Sequence, residues 1–168
     1  MNYFKKSLLL IFALALAGCS KEDQLKGTDK ALFEEAKATT IFFYYKFNTS
    51  LLSKSAGSGH NFPYLRTRYN VTAASQLDTL GKVKPGAVFP EGSLIVKELY
   101  RTSTSLSRYA ILKKNSSSAD ADANGWVWGY IDTDESVAEP AKNKGAACNG
   151  CHSQTDNIDY MLMNKYFQ

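Results

Sequence analysis

Apolar and polar residues alternate in several short stretches through the middle of the chain, the pattern of β-strands that bury one face. These stretches are residues 64–71, 93–100, 108–113 and 125–131. The last one carries aromatic residues at alternate positions, which favours a strand. Because connections of hairpin scale join the stretches and helical patterns lie mainly at the two ends, we predict an antiparallel sheet of mainly-β or α+β class.

Helical periodicity is strongest near the start of the predicted domain. Thr28 and Asp29 can cap a helix, and apolar residues then recur on one face through about residue 51. We favour this helix, although residues 41–47 are aromatic enough to form a strand instead. The residues of the apolar face are Leu32, Ala36, Phe43, Phe47 and Leu51.

Two further helices are predicted. One is short, covers residues 72–80 and is closed by Gly81. The other runs from Asp156 to about Tyr166 and turns Ile158, Met161 and Leu162 toward the core. Residues 115–124 are rich in Ser, Ala and Asp, so we expect a loop that does not pack.

The N-terminus resembles an export signal. Lys5 and Lys6 precede an apolar run over residues 8–17, which is too short to span a bilayer but suits a secretory signal peptide of residues 1–18.

Residues 16–19, Leu-Ala-Gly-Cys, resemble the bacterial lipobox, in which the cysteine becomes the first mature residue and carries lipid. We therefore predict a lipoprotein anchored through Cys19 and exposed to the periplasm or the cell surface. The alternative is an ordinary signal peptide that ends near a cysteine. Ser20-Lys21 followed by acids also resembles the surface-export signal of some Gram-negative lipoproteins.

Residues 19–29 are polar and resemble a flexible tether, which leaves residues 30–168 for one domain. Removal of residues 1–18 lowers the formal net charge from +4 to +2, so charge gives no argument for a nucleic-acid partner.

The chemistry is carried by Cys148-Asn149-Gly150-Cys151-His152. Two thiols at this spacing, followed directly by a histidine, are typical of covalent haem attachment, in which the sulfurs add to two vinyl groups and the histidine ligates the iron. A zinc site would need more ligands than the chain offers nearby, and a thioredoxin-like dithiol would lie early in a βαβ unit. A structural disulfide is the remaining alternative. We predict haem c with His152 as the iron ligand.

A second axial ligand is not evident from the sequence. Met161 and Met163 follow Cys151 by only ten and twelve residues, and core packing explains them better. His60 can serve in principle, but we interpret it as a histidine of a surface loop.

Lys97 shares a face of its predicted strand with Ile95 and Leu99, both apolar. Lysine is rarely buried without a partner, and burial would favour its neutral, nucleophilic form. Alternatively, a lysine at a sheet edge reaches water or pairs with an acid. Glu98 points to the opposite face and is not expected to be that acid.

Residues 89–99 (Phe-Pro-Glu-Gly-Ser-Leu-Ile-Val-Lys-Glu-Leu), 126–130 (Trp-Val-Trp-Gly-Tyr) and the C-terminal haem motif are similar to cytochrome P-460 and its relative cytochrome c′-beta. The resemblance covers roughly residues 30–165. It implies an antiparallel β cytochrome, commonly a homodimer, with a five-coordinate haem and an open distal side. In P-460 members the lysine of the Val-Lys-Glu strand bonds covalently to the porphyrin, which makes Lys97 the cross-link candidate here.

The same resemblance sets the functional expectations. P-460 members oxidise hydroxylamine, whereas c′-beta members lack the lysine and bind nitric oxide or carbon monoxide. Arg66 resembles a family arginine that reaches the haem pocket or its propionates; the alternative is an exposed strand arginine. Glu139 lies before the haem motif, and the distal acid or base is unassigned. We rank a haem oxidoreductase that passes electrons to another cytochrome first, a gas-binding protein second and a simple electron carrier third.

Overall fold

One antiparallel sheet dominates the computed structural model, which describes residues 25–38 and 40–168. The prediction of a mainly-β fold is therefore confirmed. Across this part of the chain the strand order is β1-β3-β4-β5-β6-β7, and β2 also pairs with β3. The seven strands are β1 (Phe42–Tyr44), β2 (Leu52–Ser53), β3 (Tyr64–Asn70), β4 (Leu94–Tyr100), β5 (Leu106–Lys114), β6 (Trp126–Asp132) and β7 (Val137–Glu139).

The helices of the described residues are short. They are α1 (Gly27–Lys37), α2 (Val71–Ala74), α3 (Asn149–His152) and α4 (Met163–Tyr166), with 3-10 turns at Tyr45–Phe47 and Ala141–Asn143. None of these helices has the length and apolar character needed to cross a membrane. The signal peptide and the lipid-bearing Cys19 lie outside the described residues, and the predicted tether overlaps α1 in its last residues.

The helix predicted from residue 28 to about residue 51 is wrong beyond Lys37. The chain instead forms β1 and then a 3-10 turn, so the strand alternative for residues 41–47 is correct only for Phe42–Tyr44. Ile41 and Lys46 have positive φ angles of 62° and 55°, which an α-helix does not contain. Pairing with β3 satisfies the backbone here, and the following turn buries Tyr45, whose hydroxyl donates to the carbonyl oxygen of Phe167 at 2.8 Å.

The other two predicted helices shrink to single turns. Asn70 caps α2 by accepting a hydrogen bond from the backbone N–H of Ala73, but the chain turns after Ala74. Near the C-terminus, positive φ angles at Asp156, Asp159 and Tyr160 interrupt the predicted helix. The Asp159 carboxylate accepts hydrogen bonds from the backbone N–H of Phe89 and the indole N–H of Trp126. Met161 and Leu162 are buried, as predicted.

The loop over residues 115–124 has no buried residue, as predicted, but its acidic side chains attach it to the rest of the domain by hydrogen bonds. Asp122 accepts hydrogen bonds from the Trp126 backbone N–H and from the indole N–H of Trp128, both at 2.9 Å. Asp120 accepts a hydrogen bond from the Thr28 hydroxyl, which ties the loop to α1. The polar side chains that suggested an unpacked loop therefore hold it against the sheet.

The sheet separates two hydrophobic clusters. On one face, Leu32, Phe33 and Ala36 of α1 pack on residues such as Val96 and Ile111. On the other face, the C-terminal segment packs its methionines against the sheet beside aromatic side chains. This second face is the one that carries Lys97, because the register pairs Lys97 with Thr67 and Ala110.

The α1 face contains a buried ion pair. Arg68 is fully buried and its Nε donates to Glu98 at 2.9 Å, while its other nitrogens donate to the carbonyl oxygens of Ala36 and Ala38. The pattern of strands that bury one face therefore does not hold at Arg68, which lies on the more polar face of β3 and is nevertheless buried. The guanidinium is stable there because Glu98 balances its charge and each of its three nitrogens donates a hydrogen bond.

Candidate functional site

A cavity of about 300 Å³ lies between the Lys97 face of the sheet and the C-terminal segment. Six residues singled out from the sequence line it: His60, Lys97, Glu139, Cys148, Cys151 and His152. A smaller cavity adjoins it beneath the sheet and shares Lys97, Cys148 and His152. The strand that carries the lysine and the distant Cys-x-x-Cys-His motif thus form one site.

The motif is held in place by a tight approach of the backbone to an indole ring. Gly145, at φ +69°, lies so close to Trp128 that an added Cβ would be 2.6 Å from the ring. Directly after this glycine the chain forms α3, in which the His152 N–H donates to the Cys148 carbonyl oxygen at 3.0 Å. One helical turn therefore presents both thiols and the imidazole to the cavity.

Both thiols of the motif are free in the structure, so the disulfide alternative is not formed. Burial raises the pKa of the Cys148 thiol to about 11, and the nearby Glu139 adds to this effect. Among the described residues, no group of three or more His, Cys, Asp or Glu side chains is arranged to hold a metal ion.

His152 is prepared to bind a metal through one nitrogen. Its Nδ1 lies 2.7 Å from the Tyr160 carbonyl oxygen, which fixes the proton on Nδ1 and leaves the lone pair on Nε2. Burial, reinforced by the charge of Lys97, lowers the pKa of His152 to about 4, so the ring is neutral at physiological pH. The indole of Trp128 packs edge-on at a centroid distance of 5.1 Å and restrains the ring further.

Lys97 lies in the middle of a central strand, between β3 and β5, so the sheet-edge alternative is wrong. Its side chain is half-buried, and its ammonium has no ion pair among the described residues. Burial lowers the pKa of Lys97 to about 8. About one tenth of this amine is therefore neutral and nucleophilic at pH 7, and about half at pH 8.

Arg66 does not reach the cavity. It pairs with Glu98 across the strands and lies on the opposite face of the sheet from Lys97. Its guanidinium donates to Glu98 at 2.8 Å, to the Tyr100 hydroxyl and to the Thr49 carbonyl oxygen. These contacts also confirm that Glu98 is not the partner of Lys97.

Arg108 takes the place in the cavity that the sequence suggested for Arg66. Its guanidinium is paired with Asp132, with one N–H···O contact of 2.7 Å, and lies over the Tyr130 ring at 4.5 Å. Sequence reasoning missed Arg108 because only the register of β5 against its neighbours shows which face it occupies.

Glu139, at the end of β7, also lines the cavity. Its Oε1 atom is buried and has no hydrogen-bond partner among the described residues. A buried carboxylate oxygen without a hydrogen-bond partner destabilises the fold. Its presence therefore indicates either a functional role or a bound group that supplies the partner. The sequence pointed to Glu139 but could not place it.

His60 lies on the loop between β2 and β3, as expected, but its ring faces the cavity rather than solvent. Its half-buried ring lies in the cavity, with a centroid 6.1 Å from that of His152. Its Nδ1 is 3.3 Å from the Tyr130 hydroxyl. Burial lowers the pKa of His60 well below its ordinary value, and the charges of Lys97 and His152 add to this effect.

These residues fit a covalently attached haem. Two free thiols and a neutral imidazole share one turn, which is the donor set that haem c requires. Arg108 offers a cation for an acidic group, and the orphaned oxygen of Glu139 marks a position where a partner is missing.

A family model described as Cytochrome P460 matches residues 69–163. The match includes β4 with Lys97 and the whole of the Cys148–His152 motif, while His60 and Arg66 precede it. None of the curated proteins matches the chain.

Proposed function

This chain belongs to the cytochrome P460 family, and from that premise we propose that it is an exported haem c protein that oxidises hydroxylamine or a related small nitrogen compound. Its electrons would pass to another cytochrome. The observation that carries the proposal is the free amine of Lys97 in the same cavity as the thiols of Cys148 and Cys151.

Each motif residue has a defined role in holding the group. Cys148 and Cys151 would form the two thioether bonds, and His152 would bind the iron through Nε2. When bound, the haem supplies an iron that accepts electrons from a small nitrogen substrate. The Tyr160 carbonyl oxygen and the Trp128 indole would keep the His152 ring oriented throughout.

Lys97 is the candidate for the additional bond to the porphyrin that the family resemblance implies. Such a bond replaces one N–H and one C–H with an N–C bond, so it releases two protons and two electrons and needs an oxidant such as hydrogen peroxide. The neutral amine required for the attack is supported by the burial of Lys97. Arg108, whose charge is already paired with Asp132, would donate a hydrogen bond to a propionate.

Glu139 is the candidate proton acceptor. Oxidation of hydroxylamine releases protons together with electrons, and a carboxylate within the cavity can receive them. The buried Oε1 of Glu139 is not engaged by another described residue and is free for this role. This assignment supplies the acid or base that the sequence alone left open.

The test begins with protein matured in a host that assembles c-type cytochromes. Intact mass should show one covalent haem, and peroxide treatment should remove two hydrogen atoms from wild type but not from Lys97→Met. Hydroxylamine-dependent reduction of an electron acceptor should fall about 10²-fold or more in Glu139→Gln. Asp134→Asn, at an exposed acid before β7, is the matched control and should keep wild-type turnover.

Other results would favour one of the other two functions, gas binding or simple electron transfer. Haem-loaded protein that binds nitric oxide but shows no turnover of hydroxylamine would favour the gas-binding function. An intact mass that shows no covalently attached haem would refute the proposal.

We also propose that the protein is a lipoprotein anchored to a bacterial membrane through Cys19, in the periplasm or at the cell surface, and that it forms a homodimer. Cys19→Ser should abolish incorporation of radiolabelled palmitate and release the protein from membranes. Retention of the label in this variant would exclude the lipid anchor. Light scattering of the haem-loaded protein tests the dimer.

A further inference from the structure

We infer that His60 is a displaceable sixth ligand, which occupies the iron position opposite His152 until a small substrate takes its place. This inference rests on the proposed function in one respect, since it requires the covalent haem. It adds a regulatory step to an iron site that the family resemblance describes as open.

The separation of the two imidazoles carries the inference. Two rings that bind one metal from opposite sides, each through a bond of about 2 Å, have centroids about 6 Å apart once the ring radii are added. The centroids of His60 and His152 are 6.1 Å apart. A histidine that left space for a guest between its ring and the iron would have to stand farther away.

The hydrogen bonding of His60 suits a ligand. The contact between its Nδ1 and the Tyr130 hydroxyl, at 3.3 Å, engages one ring nitrogen and leaves Nε2 available. The same arrangement holds at His152, where Nδ1 is engaged by a carbonyl oxygen. A hydrogen bond at the outer nitrogen is the usual device for orienting a metal-binding imidazole.

The loop that carries His60 is fixed against the haem motif. Its ends are joined by a hydrogen bond from the Lys54 N–H to the Pro63 carbonyl oxygen at 2.8 Å. A methyl group added at Gly59 would lie 3.5 Å from the Cys151 sulfur, and one added at Gly57 would lie 3.4 Å from the Tyr166 ring. The loop therefore holds His60 beside α3.

Displacement remains possible because the loop is a short surface connection without helix or strand between residues 54 and 63. A substrate that binds the iron more tightly than His60 would shift the population toward the open form.

The test compares the ferric spectra of three haem-loaded proteins by optical absorption and electron paramagnetic resonance. Wild type should be six-coordinate and low-spin, and His60→Ala should be high-spin. Free imidazole added to His60→Ala should restore the low-spin signal, which also shows that the pocket has folded. Ser58→Ala, in the same loop, is the matched control and should keep the low-spin spectrum of wild type.

Gas binding gives an independent measure. If His60 holds the iron in about nine molecules of ten, its removal raises the apparent affinity for carbon monoxide about tenfold. A five-coordinate, high-spin wild type that is unchanged by His60→Ala would overturn the inference, as would an equal loss of the low-spin signal in Ser58→Ala.

The two proposals fail separately. Hydroxylamine turnover by a five-coordinate wild type would sustain the proposed function and exclude the role of His60. A spin change on His60→Ala in a protein without turnover would sustain the role of His60 and favour an electron carrier. Protein without covalent haem by intact mass would overturn both.

Discussion

Gly145→Ala should destabilise the protein and disturb the haem motif together. Gly145 has φ +69°, and an added Cβ would approach the Trp128 ring to 2.6 Å. The left-handed backbone costs a residue with a Cβ about 1–2 kcal/mol. Overpacking against the buried indole adds about 1–3 kcal/mol. Because Trp128 also packs against His152, the indole cannot move aside without shifting the ring that binds the iron.

Gly86→Ala is the matched control. Gly86 has a similar φ of +71°, but no atom lies within 4 Å of the position of an added Cβ. The free energy of unfolding of this variant should therefore fall only by the backbone contribution, about 1–2 kcal/mol. The difference between the two variants isolates the steric contact with Trp128, for which we expect about 1–3 kcal/mol.

Urea unfolding of the haem-loaded proteins, followed by far-ultraviolet circular dichroism, measures this difference. Intact mass gives the fraction of chains that carry haem, which should fall in Gly145→Ala and stay unchanged in Gly86→Ala. Equal loss of stability in the two variants, with equal haem content, would refute the reasoning that the glycine is needed for the close approach to Trp128.

Two further predictions concern buried charges. Glu98→Gln should lower the free energy of unfolding by about 3–5 kcal/mol, because it leaves the buried guanidinium of Arg68 without its counter-charge. Glu34→Gln, at an exposed ion pair with Lys37, is the control and should lower the free energy of unfolding by less than about 1 kcal/mol in the same urea titration. Before haem attachment, the folded-state pKa of Lys97 is about 8 against an ordinary value of 10.5, so the unfolded chain binds more protons between these values and stability should rise with pH across that window. Urea titrations at pH 8 and pH 10.5 should show this rise in wild type relative to Lys97→Met, and an equal pH dependence of the two proteins would contradict the burial of the amine.

Local patterns in the sequence identified the chemistry of the site. The spacing of Cys148, Cys151 and His152 is a local property of one helical turn, so it could be interpreted without the fold. The two-residue period of β4 likewise placed Lys97 on the face of Ile95 and Leu99 and Glu98 on the other face, since alternation holds in any strand.

The sequence was less informative about the two long helices predicted near the ends of the domain. The apolar spacing that predicted one long N-terminal helix fits both a helix and a strand that follows it, and only pairing with β3 decides between them. Near the C-terminus, the Asp159 carboxylate accepts hydrogen bonds from N–H donors far away in the sequence, one of them the indole N–H of Trp126. Local helix propensity contains no information about such contacts.

The sequence by itself determined the mainly-β class, the haem motif and the unusual lysine, because each follows from residues that are neighbours along the chain. Only the tertiary structure decided that Arg108 rather than Arg66 faces the cavity, that Glu139 is orphaned there, and that His60 stands beside His152. The physical reason is that strand register and loop placement depend on contacts between segments far apart in sequence. A shift of one residue in the register of a strand would turn its side chains to the other face of the sheet.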